Sequence, residues 1–139
     1  LAKANSLAKL YTLEGSEHLV SFSTELFKKE EVNNIVSVPG NFDVTFPKLL
    51  ESLDALDFLY IDGNHAMEPT LRYFELALAK KNASSVFIFD DINWSEDMQK
   101  AWQAIVANKE VKLSFDFFHF GIVFFRTEQK EKEHFVLRF

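Results

Sequence analysis

The sequence predicts an α/β fold: a three-layer sandwich whose mostly parallel sheet ends in an antiparallel C-terminal hairpin. Three observations carry this. Four strand-like apolar runs alternate with helix-spaced apolar patterns, the arrangement that favours right-handed β–α–β crossovers. The runs DFLYI (57–61) and VFIF (86–89) are nearly continuous, as in strands covered on both faces. The last thirty residues turn β-rich, with two segments close enough to form a hairpin. At 139 residues, 47% of them hydrophobic, the chain is long enough for one domain with one core, residues 1–139.

Lys9 to Leu13 is the first strand, and Glu14-Gly15-Ser16 ends it with Ser16 placed as a helix N-cap. Leu19, Val20, Ser23, Leu26 and Phe27 share one helical face, and the charges of Lys28 to Glu31 mark its solvated end. Ile35 to Val38 is the next strand. After Pro39-Gly40-Asn41, the positions Phe46, Leu49, Leu50 and Leu53 trace a helix with Pro47 in its first turn. The DFLYI strand stops at Asp62-Gly63-Asn64-His65, and a helix follows from Pro69 to Lys81. VFIF ends in Asp90-Asp91. Met98, Ala101, Trp102, Ile105 and Val106 then form a helical face, with Asn93 or Ser95 as the cap. Val111 to Phe118 and Ile122 to Phe125 pair around His119-Phe120-Gly121, Thr127 to His134 is a charged loop, and Phe135 to Phe139 is a last strand.

Composition excludes several functions. Twenty-one acidic against fifteen basic residues give a net charge of -6, which repels a phosphate backbone, so nucleic acid is not an expected partner. Zero cysteines remove disulfides, cysteine-ligated metals and thiol nucleophiles, and fit a reducing compartment, with the cytoplasm as the default. No run approaches the ~18 apolar residues of a membrane span, and no secretory signal opens the chain. The sequons at Asn82 and Asn93 therefore carry little weight. A homo-oligomer stays open.

The functional clue is where polar residues sit. Glu14, Asn41, Asp62 and Asp90-Asp91 each follow a strand, and open α/β sheets bind ligands beyond the carboxyl ends of their strands. Asp62, Asp90 and Asp91 would repel one another without a cation between them, and their hard oxygens suit magnesium, calcium or manganese. The plainer alternative is that they cap helices and bind loop amides. Glu14 suits the two hydroxyls of a ribose, or is an exposed residue before a turn. His65, three residues after Asp62, could take a proton from a substrate hydroxyl, or serve only as a loop residue. Trp94 stands where it could cover a ligand. Phe117, Phe118 and Phe120 are core material or pocket lining. Trp102 is ordinary packing, and His18, His119 and His134 are structural or exposed.

The order LYTLEGS, NIVSVPGNF, LDFLYIDGNH and VFIFDDINW, followed by a helix containing Lys100-Ala101-Trp102, resembles class I S-adenosylmethionine-dependent methyltransferases over nearly the whole chain. Within them it is most similar to small O-methyltransferases with an aspartate–glycine–x–histidine segment. The resemblance implies a Rossmann-like fold and S-adenosylmethionine as cofactor. Glu14 would then hold the ribose, with Gly40, Asn41 and Phe42 beside adenine. It also implies a magnesium ion on Asp62, Asp90 and Asp91 that orients the acceptor and lowers its hydroxyl pKa. His65 falls where catechol-type members place a lysine, and Asn64 where sugar methyltransferases place a basic aspartate, so neither match is identical.

The departure is an absence. The chain has four glycines and no G-x-G for the methionine part of the cofactor. Leu1 to Lys9 is then expected to be the tail of the helix after that loop, in a domain truncated at its N-terminus. The expected function is metal-assisted O-methylation of a small-molecule or sugar hydroxyl. The alternative is a non-catalytic binding or assembly domain of the same fold. An aspartate-nucleophile phosphatase fits less well, because Asp90 and Asp91 are adjacent rather than spaced as D-x-D.

Overall fold

Alternation of strand and helix is what the chain builds. The structure, a computed structural model, describes residues 1–138. They divide into two compact units, Leu1–Ser52 and Leu53–Phe139.

In the first unit, β1 (Leu10–Glu14) and β2 (Ile35–Pro39) pair in parallel, with Leu10 opposite Ile35 and Glu14 opposite Pro39. Helix α1 (Glu17–Lys29) joins them, and α2 (Phe42–Glu51) follows. Ser16 caps α1 as expected, its hydroxyl accepting the Leu19 N–H. Asn41 caps α2 through the Asp43 N–H at 2.8 Å. Pro47 departs from expectation. It lies in the interior of α2, where it has no N–H to give the Asp43 carbonyl. Residues 1–9 are likewise not a helix tail, since only Ala2–Ala4 form a 3₁₀ turn. The Asn34 side-chain amide reaches the carbonyls of Ala2, Asn5 and Ala8 at 2.9–3.1 Å, taking acceptors that a helical ladder would need.

The second unit holds a five-stranded sheet in the order β3-β4-β6-β5-β7. Its strands are β3 (Leu56–Ile61), β4 (Lys81–Asp90), β5 (Leu113–Asp116), β6 (Phe120–Phe124) and β7 (Glu133–Val136). β3 and β4 are parallel, β6 runs antiparallel to β4 and β5, and β7 returns parallel to β5. The expected antiparallel end is therefore present, although the chain's strands fall into two hydrogen-bonded sheets rather than one. Phe139, the end of the expected last strand, lies outside the described residues.

Helices α3 (Met67–Leu78) and α4 (Glu96–Ala107) cover one face of this sheet. Phe87, Phe89, Val123 and Phe125 point into that core and meet Phe74, Ala77, Ala101, Trp102 and Ile105. Each buried large side chain contributes about 1.5–3 kcal/mol by leaving water. β3 departs from the reading of a strand covered on both sides. It is an edge strand, and Phe58 and Tyr60 on one of its faces are exposed. An apolar run reports what a strand can bury, and residues Phe58 and Tyr60 here have no such cover.

Candidate functional site

Glu14, Gly40, Asn41, Asp62, His65, Asp90 and Asp91 lie at or just beyond the carboxyl ends of parallel strands, in two clusters, one per unit. In the first unit, Glu14 ends β1 and Gly40 follows β2, and the Gly40 N–H donates to the Glu14 carbonyl at 2.9 Å. Gly40 has φ +128, and a Cβ there would stand 3.0 Å from the Thr45 methyl, so the chain turns tightly into α2. Glu14 Oε1 accepts the Ser16 N–H at 2.8 Å, which aims the carboxylate past the end of the strand. A carboxylate can accept about four hydrogen bonds, so this one bond leaves capacity for two hydroxyls. Asn41 and Phe42 begin α2 beside it. The Glu14 carboxylate thus fits the two hydroxyls of a ribose.

In the second unit, His65 lies between two carboxylates. Its Nε2 is 3.7 Å from Asp62 Oδ1 and its Nδ1 is 3.7 Å from Asp91 Oδ2. The half-buried imidazole also faces Trp94 at a ring separation of 6.5 Å, and the Trp94 side chain is 73% exposed. Local backbone makes this possible. Asn64 takes φ +62 with its amide donating to the Tyr73 hydroxyl at 3.0 Å, a brace that turns the chain so His65 faces back over the strand ends. Asp91 takes φ +52, a left-handed conformation that residues with a Cβ rarely adopt.

Asp90 has a different partner. Tyr60 pairs with Ile88 across β3 and β4, so Tyr60, Ile88 and Asp90 share a sheet face, and the Tyr60 hydroxyl donates to Asp90. Partial burial, that bond and the nearby carboxylates of Asp90, Asp62 and Asp91 push the Tyr60 phenol up to about 12.

This arrangement leaves one expectation, a magnesium ion on Asp62, Asp90 and Asp91, without support. Among the described residues no three His, Cys, Asp or Glu side chains form a group able to hold a metal ion. His65 stands between Asp62 and Asp91, 3.7 Å from each. Nothing in this arrangement supports a magnesium ion, and the chemistry proposed for the site does not use one. Ser95, not Asp90, Asp91 or Asn93, caps α4, its hydroxyl accepting the Met98 N–H at 3.1 Å. Trp102 packs as expected, although its buried indole N–H has no hydrogen-bond partner.

Tyr60 was not singled out from the sequence. The signal was there, since the residue one before the end of one parallel strand shares a face with the residue two beyond its register partner, but it required the register.

A family model described as a methyltransferase domain matches residues 1–92. The chain belongs to the methyltransferase domain family. Solved structures agree on the fold. A Podospora anserina methyltransferase bound to SAH is 16% identical with a TM-score of 0.67, covering 88% of this chain and 63% of that one. An O-methyltransferase from Bacillus cereus in complex with SAH is 20% identical with a TM-score of 0.66, covering 84% and 63%. A TDP-rhamnose 3'-O-methyltransferase of calicheamicin biosynthesis is 16% identical with a TM-score of 0.63, covering 77% and 52%. These likenesses show the Rossmann-like α/β fold, and the chain spans between half and two thirds of the length of each. Comparison with curated proteins returned no match. No helix among the described residues is long and apolar enough to cross a membrane.

Proposed function

We propose that this methyltransferase-family chain serves S-adenosylmethionine-dependent O-methylation of a small-molecule or sugar hydroxyl, with His65 as the general base. The observation that carries the reading is the imidazole held between Asp62 and Asp91 at the ends of two neighbouring parallel strands. A neutral histidine flanked on both nitrogens by carboxylates can take a proton at one nitrogen while a carboxylate steadies the other, and the imidazolium that forms is stabilised where it stands. The O-methyltransferases among the structural neighbours support the choice of oxygen.

S-adenosylmethionine supplies an electrophilic methyl on a sulfonium. Glu14 would accept hydrogen bonds from the two ribose hydroxyls, and Gly40, Asn41 and Phe42, at the start of α2, would flank the adenine. His65 would take the proton of the acceptor hydroxyl, whose oxygen would receive that methyl in place of the sulfonium sulfur. Trp94, which faces the imidazole, would flank the acceptor.

The test is methyl transfer from labelled S-adenosylmethionine to a panel of phenols and glycosides, with His65→Gln beside wild type and with EDTA or magnesium in parallel. General-base catalysis is worth about 10²–10⁴-fold, so the expected result is turnover that survives EDTA and falls by about that factor in the variant. Full activity in His65→Gln overturns the assignment of the base. Strict dependence on magnesium would return the three aspartates to a cation.

A further inference from the structure

We propose that Asn93 is a positioning residue of this site, which fixes the Asp91–Trp94 loop against His65 by anchoring it to the β5–β6 turn; the proposal rests on the reading of His65 as the base. Asp91 and Trp94 both reach the imidazole, at 3.7 Å and at a ring separation of 6.5 Å, from a loop that leaves β4 in a conformation L residues rarely adopt. Such a turn persists only where its surroundings determine it.

Three contacts do so. The Trp94 N–H closes the turn on the Asp91 carbonyl at 2.9 Å, the Ile92 N–H donates to the His119 carbonyl at 3.3 Å with the Ile92 side chain buried beneath, and the Asn93 side-chain amide donates to the Phe118 carbonyl at 2.9 Å. Of the three, the Asn93 bond alone depends on side-chain identity. It is also the only one that joins a residue between Asp91 and Trp94 to the turn by a side chain.

The receiving end is itself locked. Phe118 has φ +72, and its N–H is held by Asp116 Oδ1 at 2.8 Å. Asp116 is nearly buried and carries an ion pair with Arg138 Nη1 at 2.9 Å, and the same nitrogen also donates to the Asp116 carbonyl at 3.1 Å. The Arg138 guanidinium lies over the Phe118 ring at 5.4 Å. A charged clamp after β7 thus holds the turn whose carbonyl receives Asn93. The sequence marks Asn93 only as a candidate cap or sequon; Ser95 caps the helix instead, and the Asn93 side-chain amide is engaged by the Phe118 carbonyl.

Asn93→Ala and Asn93→Asp both remove the donor, whereas Asn93→Gln keeps an amide on a longer arm. All three sit on a loop outside the core, so each variant should fold with the thermal midpoint of wild type. Two readouts are taken on the full chain. In nuclear magnetic resonance, the contact between the His65 and Trp94 rings and the backbone order of residues 91–95 should be lost in the alanine and aspartate variants and regained in part by glutamine. In the methyl-transfer assay, kcat should fall at least tenfold in the first two, with the dissociation constant for S-adenosylmethionine within twofold of wild type, and glutamine should restore part of kcat. Wild-type ring contacts and loop order in Asn93→Ala overturn the proposal, as does a loss of order that glutamine and alanine share equally. The resonance readout needs no turnover, so a chain that methylates nothing would sink the function while leaving the positioning role to be decided by the rings alone.

Discussion

Tyr60 donates to Asp90 and stands among three carboxylates that oppose its ionisation, which together with partial burial raises its phenol from the usual 10 to about 12. Linkage gives the sign: a folded-state pKa above the unfolded one stabilises below pH 10, and that contribution is lost as pH rises toward 12. An alkaline absorbance titration should show one of the three tyrosines ionising near 12, and Asp90→Asn should bring that step down while Tyr60→Phe removes it. A Tyr60 step at 10 in the native protein would dissolve the Tyr60–Asp90 pair. Glu14 offers a second residue-scale outcome. Gln at 14 can still receive the Ser16 N–H but loses the charge that strengthens bonds to ribose hydroxyls, so calorimetric titration with S-adenosylmethionine should show about 1–3 kcal/mol of lost affinity. Residue types at strand ends were legible because chain order alone puts Glu14, Asp62, His65 and Asp91 there. What could not be read was which partner each would face: adjacent Asp90 and Asp91 look like one donor pair, yet Asp91 lies beside His65 and Asp90 accepts from Tyr60.

Gly121 shows the same limit one level up. It lies within β6 opposite Asp116 and Phe89, and a Cβ built there would stand 2.4–2.7 Å from three ring atoms of buried Trp102. The sequence offers Gly121 as a hairpin glycine, yet its use is to admit the Trp102 ring against the sheet, and the turn itself is made by residues 117–119. Gly121→Ala must displace α4 or tilt the indole, and overpacking of this kind costs about 1–3 kcal/mol. Chemical denaturation should register that loss with an unchanged slope, and a neutral substitution would mean that α4 sits further from β6 than described. Beyond residues 1–9, element existence was legible, because helical spacing and apolar runs survive without context. Boundaries and neighbours were not. Pro47 reads as a first-turn residue until Asn41 is seen to start α2 five residues before the position that Pro47 would need, and β3 reads as buried until its place at the sheet edge is known.

At the scale of the molecule, each sheet ends in strands whose outer backbone groups find no strand partner among the described residues. Edges of this kind invite pairing with another chain unless charge or irregularity blunts them. β7 is only four residues long and follows a charged loop, so it is a poor template. β3 is less protected: Asp57 is its one charge, and Phe58 and Tyr60 stay exposed, as do Leu19, Phe22 and Leu26 on α1. Against this stands the net charge of -6, which keeps copies apart at low ionic strength. Screening acts within about 10 Å at 0.1 M salt, so repulsion fades with added salt while apolar attraction does not. Sedimentation velocity of the 139-residue chain should therefore show a sedimentation coefficient that climbs with concentration, more steeply in 0.5 M than in 0.05 M salt. Phe58→Lys places a charge on the β3 edge and should flatten that dependence without altering the circular dichroism spectrum. A coefficient that stays constant across concentration and salt would show that the β3 edge is covered in solution and that the apolar side chains around it are not adhesive.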